Sequence, residues 1–578
     1  MSETAPAGSR RWLLVALGLA GTAALVWASF GKWSDPLIDS GREWLVPDAL
    51  ARGRLLYRDV VYWFGPLTPY FHAAFFRALG SGFQALALAG AISAAASLAA
   101  LHAAVGRVAG RAAANLWTLL AIPALVFMPN AGGAIVGMGY RIWHAATLSL
   151  VALVLVSGPT RHTGRAAAAG ACTALAGLCR IEWGIAALAA SALVLWRRRE
   201  KGEGFGDLAA LGGVGVAVFG AVWAVFFARV GWRTVFVEQP AFLLHIPRET
   251  PAGTWFSGLR AWRPGIWNLL YSASLWYGAW QAIALVALRS DDPRGTRRRL
   301  SRLGAALAVG AACVALGALG GPVLFSAAPL VCVAALVAGW RAGRTPQGSA
   351  LAGFGAMGLL ASHRRFFFLG DAPYVAPPLL FAFAAAAGLV ALAIRAEAPA
   401  EERPRLDRAY RAALASVTAL AFIGRIVFYR GEERVAIRGT GGLLTASAET
   451  ARAIEAIASA AKRETPASSG LVVFPEGELL NLLSGRPNPL RHALYLPGYL
   501  DDANEADVLA ELEAARPAAI VVWRRSTGEY GRGQFGADYG RLIADWIRDH
   551  YDAVPVELSG APRANAPFVL YRLRDRPS

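Results

Sequence analysis

The sequence predicts a polytopic α-helical membrane protein that ends in a small α/β domain. Three observations predict it. Hydrophobic residues make up 56% of the chain and charged residues only 17%, well under the roughly 25% charge of a soluble domain, and the mean hydropathy is +0.42. The apolar residues gather in runs approaching the ~20 residues that cross a hydrocarbon core. Beyond about residue 430 those runs give way to alternating short strand-like and helical stretches.

Taken in order, the apolar runs place spans near 12–30, 83–105, 112–128, 143–158, 166–180, 183–196, 208–229, 266–288, 303–320, 322–340, 349–362, 375–395 and 410–428, about 13 helices. The first follows Arg10-Arg11 with no small-residue cleavage site after it, so it reads as a retained helix. Arg180-Ile181-Glu182-Trp183 interrupts the fifth and sixth runs and predicts a tight hairpin. With the N-terminus in the cytoplasm, the inner loops are 106–111, 160–165, 197–206, 289–302, 341–347 and 396–411. They hold Arg197-Arg198-Arg199 and Arg297-Arg298-Arg299, as the positive-inside rule requires. Segments 31–82, 129–142, 230–265 and 363–374 then face outward, and an odd helix count leaves the tail outside.

In the tail, Leu471-Val472-Val473-Phe474 and Ala519-Ile520-Val521-Val522-Trp523 predict strands, with helices over 505–515 and 539–550. The organisation is therefore a membrane domain over 1–430 and an extracytoplasmic α/β domain over 431–578. Phe474-Pro475-Glu476-Gly477-Glu478 and Phe535-Gly536-Ala537-Asp538-Tyr539-Gly540 match no phosphate-cradling loop, and their glycines serve turns. No catalytic residue is expected in the tail.

The net charge of +18 comes from 57 basic and 39 acidic residues, of which only Lys32, Lys201 and Lys462 are lysine. The surplus sits in short loops between apolar runs, so it is topogenic and calls for no nucleic-acid partner. The Arg-for-Lys skew, with abundant Ala and Gly, suggests a bacterial genome rich in G and C. Cys172, Cys179, Cys313 and Cys332 all fall inside apolar runs with no metal-ligand spacing. Neither disulfides nor structural zinc are expected.

Segment 31–82 is too aromatic for an ordinary solvated loop, carrying Trp33, Trp44, Tyr57, Tyr62, Trp63 and Tyr70, rings that settle at a membrane interface. Ser40 and Glu43 have capping-box spacing, predicting a helix from Gly41 to Gly53 with Glu43 as its cap. Pro66 suits the first turn of a second helix ending near Gly80. Asp39 then stands just before a helix N-terminus, whose dipole favours the ionised carboxylate. A carboxylate held there accepts the proton of an attacking hydroxyl. Asp35, before Pro36, has the alternative role of starting a turn.

These residues resemble the GT-C superfamily of membrane glycosyltransferases, particularly the family 39-like enzymes that include protein O-mannosyltransferases and the lipid A aminoarabinose transferase. Asp39, Gly53, Tyr57, Asp59 and Gly65-Pro66-Leu67 stand where that group has its catalytic Asp, its Gly-x-x-x-Tyr-x-Asp-like stretch and its Pro-rich entry to the next helix. The resemblance implies a GT-C-like fold with a catalytic first outer loop. It further implies Asp39 as catalytic base with Asp35 or Asp59 assisting, and a tail that guides the acceptor. Two departures are plain. Many relatives have Asp-Glu where this chain has Asp39-Ser40, and Gly65 stands where the aminoarabinose transferase has a Lys associated with the donor phosphate.

Other basic residues are then needed for the phosphate. His363, Arg364 and Arg365 break the positive-inside pattern in an outer segment rich in Phe. Arginine binds phosphate oxygens bidentately, and the alternative role is anchoring to anionic headgroups. Arg58 is a further candidate, or else half of a surface pair with Asp59. Arg180 and Glu182 form a stabilising ion pair or touch acceptor or sugar, and Tyr57 is a further possible contact. Arg141, His144, Glu238, His245 and Arg425 are weaker candidates.

The resulting expectation is an inverting hexosyl- or pentosyltransferase at the outer face of a bacterial inner membrane. It takes a polyprenyl-phosphate sugar as donor and a glycan, lipid or protein as acceptor. No cofactor is required, and a divalent metal has a possible place at Asp35 and Asp39. The rival readings are a transporter or lipid flippase, for which internal repeats are the usual sign and none is visible, and a non-catalytic protein of the same fold.

Overall fold

Inside a bilayer, backbone amides must pair within their own segment, and the apolar runs accordingly form helices. The computed structural model describes residues 7–38, 40–129, 132–137, 139–200, 205–241, 245–246, 250–252, 262–287, 327–361, 372–556 and 567–574. Helix α1 (Ala7–Ser29) leads into the first loop, which contains α2 (Ser40–Ala51) and α3 (Leu67–Leu79). Then follow α4 (Phe83–Ala109), α5 (Arg111–Ala121), α6 (Tyr140–Val156), α7 (Thr163–Cys179), α8 (Ile181–Arg198) and α9 (Gly206–Arg229). The chain continues through α10 (Trp262–Ala287), α11 (Ala328–Arg341), α12 (Pro346–Ala361), α13 (Ala372–Glu397) and α14 (Arg403–Gly431). Among the described residues, four helical stretches are long and apolar enough to cross a membrane: Phe83–Ala109, Gly206–Arg229, Ala376–Glu397 and Arg403–Gly431. The run expected at 303–320 and the arginine-rich loop 289–302 lie outside the described residues.

Local chemistry explains the irregular joints. α5 passes into a π-helical turn, Ile122–Val126, that contains Pro123, whose ring cannot sit in an unbroken hydrogen-bond ladder. Between α7 and α8 the hairpin is one residue wide: Arg180 is extended at φ −151°, ψ 119°, and its amide bonds back to Ala176 O at 2.9 Å. A Cβ on Gly184 would fall 2.5 Å from Gly177 Cα, so α7 and α8 touch backbone to backbone, the close packing that small residues permit between membrane helices.

The connections gather at two ends. At one, Arg161 pairs with Asp207 at 2.7 Å, and Arg197 donates to the carbonyls of Gly339 and Gly343 at 2.9 and 2.6 Å. At the other, the first loop meets the tail. Val61 N bonds Arg491 O at 2.9 Å, Lys32 Nζ reaches Glu432 O at 2.8 Å, and Thr445 Oγ1 donates to Gly31 O at 2.8 Å.

In the tail, β1 (Val435–Ala436) and β2 (Thr445–Ala446) pair antiparallel. They precede α15 (Ala448–Glu464), whose N-cap Ser447 accepts from Thr450 N. A four-stranded sheet has the order β3 (Leu471–Phe474), β4 (Ala519–Trp523), β6 (Phe568–Leu573), β5 (Tyr551–Val554), with β3 and β4 parallel and the other pairs antiparallel. The apolar strands bury Val472, Phe474 and Ile520 with Leu512 of α17 (Glu505–Ala515) and Ile543 and Trp546 of α18 (Arg541–His550). The short α16 (Leu479–Ser484) follows β3 and packs on α2.

Candidate active site

The turn before α2 is built by short polar side chains. Asp35 Oδ1 accepts from the amides of Leu37 and Ile38, each at 2.8 Å, while the Ser40 hydroxyl bonds the Asp35 carbonyl and the Ser34 hydroxyl. Asp35 is thereby the exposed closing residue of the turn that delivers the chain into α2. Asp39, the expected base, lies outside the described residues. The metal pairing of Asp35 with Asp39 thus keeps only Asp35 in view, with one carboxylate oxygen committed to backbone amides. His363, Arg364 and Arg365 also lie outside the described residues.

Tight backbone approaches fix the loop. A Cβ on Gly41 would stand 2.4 Å from Leu479 N and 2.8 Å from Glu478 C, so the tail backbone seats directly on the first turn of α2. At Gly65 a Cβ would stand 2.0 Å from Leu178 O, and the Gly65 amide bonds Cys179 O at 3.3 Å. Gly65 is the residue that lets the loop reach the end of α7, and no Lys fits there.

That approach lays the Phe64 ring between two arginines, with the guanidinium carbon of Arg141 4.0 Å and that of Arg180 5.1 Å from its centroid. Arg141 stands in the first turn of α6 and pairs with Glu43 of α2 at 2.6 Å, the side chains 3% and 10% exposed. This corrects the capping expectation: α2 begins at Ser40, and the Glu43 carboxylate reaches across to Arg141. Arg180 is 9% exposed and meets Glu182, itself 43% exposed, at 2.6 Å. Its Nε has no hydrogen-bond partner among the described residues. A third cation, Arg42, lies 6.0 Å from the Trp63 ring centroid.

Next to Glu43, His72 is fully buried and neither of its nitrogens has a partner among the described residues. It borders a cavity of about 10 Å³ together with Glu43, Arg42 and Thr68, room for one water. His144 is held by Thr68 Oγ1 at 3.0 Å and Ser93 Oγ at 2.9 Å. It is a packed helix residue behind the site.

Tyr57, Arg58 and Asp59 turn away from the arginines. Tyr57 adopts φ +68°, its ring buried against Trp223 and Phe226. Its hydroxyl donates to the Phe64 carbonyl at 2.6 Å, and burial pushes that phenol far above its usual range. The Tyr57 side chain thus holds Phe64 in place. Arg58 and Asp59 form a bidentate pair, both contacts 2.8 Å, with Arg58 60% exposed. That bond, helped by the Leu55 amide, holds the Asp59 carboxyl down at about 2. Its depressed value means that stability from Asp59 is present above the unfolded carboxyl range near 4 and is lost as pH falls toward 2. A carboxylate with so low an affinity for the proton is a poor base. We therefore expect Asp59→Asn to leave the acid limb of a pH–rate profile unmoved while lowering thermal stability at pH 7, both measurable on purified protein.

Glu238 and His245 sit beside the first loop, and His245 Nδ1 contacts Asp501 Oδ2 of the tail at 2.6 Å. Arg425 donates to Pro123 O at 3.1 Å within the helices. The signal for Arg141 was its place at the head of an apolar helix, where a charge persists only if paired or functional.

The fold and this site define a multi-helix membrane protein with two buried arginines on one phenylalanine of the first loop. No family model matches the chain, and no curated protein matches it in sequence. Among solved structures it is similar to ArnT from Cupriavidus metallidurans bound to undecaprenyl phosphate, at 16% identity and TM-score 0.47 over 98% of each chain. It is also similar to the Archaeoglobus fulgidus oligosaccharyltransferase in complex with Zn and sulfate, at 13% identity and TM-score 0.48, covering 89% of this chain and 68% of that one. A third is the arabinofuranosyltransferase AftD from Mycobacteria, at 14% identity and TM-score 0.45, covering 98% of this chain and 40% of that one.

Proposed function

We propose that this chain is an inverting glycosyltransferase that moves a hexosyl or pentosyl group from a polyprenyl-phosphate donor to an acceptor hydroxyl. In this reading it sits in a bacterial inner membrane with about thirteen spans, and the first loop and an α/β tail lie outside. The observation that carries the proposal is the pair of buried arginines on Phe64, one of which reaches Glu43 of α2.

The chemistry follows from the charges. Asp39 takes the proton of the acceptor hydroxyl as its oxygen bonds to the sugar's anomeric carbon. The bond from that carbon to the phosphate oxygen breaks, and the electron pair leaves with the lipid phosphate. Both guanidinium groups lie over Phe64, and the planar fork of an arginine suits phosphate oxygens. Arg180 is the readier of the two. Its partner Glu182 is 43% exposed, whereas Glu43, the partner of Arg141, is enclosed with it; a charge-assisted bond to phosphate contributes about 1.5–3 kcal/mol. Arg180 therefore exchanges Glu182 for the leaving group, whose charge it stabilises. Arg364, Arg365 and His363 are further proposed phosphate contacts, and Arg58 is assigned to its pair with Asp59.

Arg180→Ala is expected to lower the transfer rate by about a hundredfold, as loss of one stabilising donor typically does. Glu182→Gln is expected to leave the rate within a few-fold of wild type. Transfer by Arg180→Ala at the wild-type rate would remove the arginine pair from the mechanism, and a product with retained anomeric configuration would remove the inverting step.

A further inference from the structure

A cavity of about 330 Å³ lies between the first loop, the 234–245 segment and the tail, at the small end of the range of about 300–1,000 Å³ typical of ligand sites. One wall is aromatic. Tyr62, Trp63, Phe64 and Tyr499 all line it, and the Trp63 and Tyr499 centroids are 4.9 Å apart with the rings inclined by 43°. The rest of the lining carries charge, with Arg42 and Arg491 among Glu238, Asp507 and Glu511. Its formal charges are two arginines against three carboxylates, with His245 and His492 also in the lining. Phe64 is shared: it lines the cavity and touches both buried guanidinium groups.

Those features select a ligand. An anion meets an excess of carboxylates, so the cavity does not repeat the phosphate-binding chemistry next to it. A purely apolar ligand strands five charged side chains. A sugar ring satisfies both kinds of lining, laying its C–H face on an aromatic ring while its hydroxyls, each both donor and acceptor, meet carboxylates and guanidinium groups. We propose that this cavity binds the terminal sugar of a glycan acceptor, uncharged or amine-bearing, presenting its hydroxyl past Phe64 toward the donor. The assignment rests on the glycosyltransferase reading above, and it makes Trp63 and Tyr499 substrate-binding residues supplied by two distant parts of the chain.

The test is binding, which needs no turnover. Full-length protein in nanodiscs is titrated with soluble neutral and amino-sugar oligosaccharides (gluco-, manno-, galacto-, arabino- and glucosamine series) and with inorganic phosphate. Saturation-transfer NMR and tryptophan fluorescence are the readouts. The expected result is saturable binding of at least one oligosaccharide, with transfer to ring C–H protons and no competition from phosphate. Tyr499→Ala should weaken binding at least tenfold, and Trp63→Leu likewise. Absence of any saccharide binding, displacement by phosphate, or wild-type affinity in a folded Tyr499→Ala protein overturns the proposal. Failure of the parent reading looks different, as no transfer from any donor whether or not oligosaccharides bind.

Discussion

Replacing Arg141 with Met is expected to destabilise the protein by about 3–5 kcal/mol, because the guanidinium that faces the buried Glu43 carboxylate is removed. The pair is 2.6 Å apart with both side chains almost fully enclosed, so solvent does little to screen the loss. The same argument predicts strong coupling. Glu43→Gln alone also destabilises, whereas the double variant recovers much of the loss, since neutral groups of similar size often replace a buried pair at little cost. Thermal unfolding of the two single variants and the double variant in one detergent measures the coupling. A value under about 0.5 kcal/mol, the level at which independent sites add, would show that the pair does not hold α2 against α6.

That interaction also shows where the sequence was legible and where it was not. The apolar runs announce the helices because hydropathy is a local property, and the one-residue break at Arg180 shows in the Arg-Ile-Glu-Trp interruption. Asp35 before Pro36 reads as a turn, and the structure gives it that geometry. Glu43 misleads for a physical reason: spacing of three from Ser40 is the local mark of a capping box, and nothing local reports a partner 98 positions away. Gly65 is similar. In the sequence it is a missing lysine, but in three dimensions it is the contact that brings Phe64 between Arg141 and Arg180. Tyr57 carries the resemblance motif and supports that contact through its bond to the Phe64 carbonyl. Trp63 reads only as an interfacial ring until Tyr499, from the far side of the chain, comes within 4.9 Å.

The second large effect concerns Asp39. Its sequence neighbours Asp35 and Ser40 build the turn into α2, and the tail backbone packs on Gly41. An amide cannot take the acceptor proton, so Asp39→Asn is expected to lower transfer by about 10²- to 10⁴-fold, the usual contribution of a positioned base. The turn rests on the Asp35 carboxylate and the Ser40 hydroxyl, so the fold should survive the change. The most direct test is transfer from a panel of radiolabelled polyprenyl-phosphate sugars by membranes carrying equal amounts of wild type or Asp39→Asn. Label should move to acceptor with wild type alone, from one donor of the panel. Equal transfer by both proteins would contradict the role of Asp39. Transfer from no donor, with Asp39→Asn rescuing a deletion strain as well as wild type does, would contradict the glycosyltransferase itself.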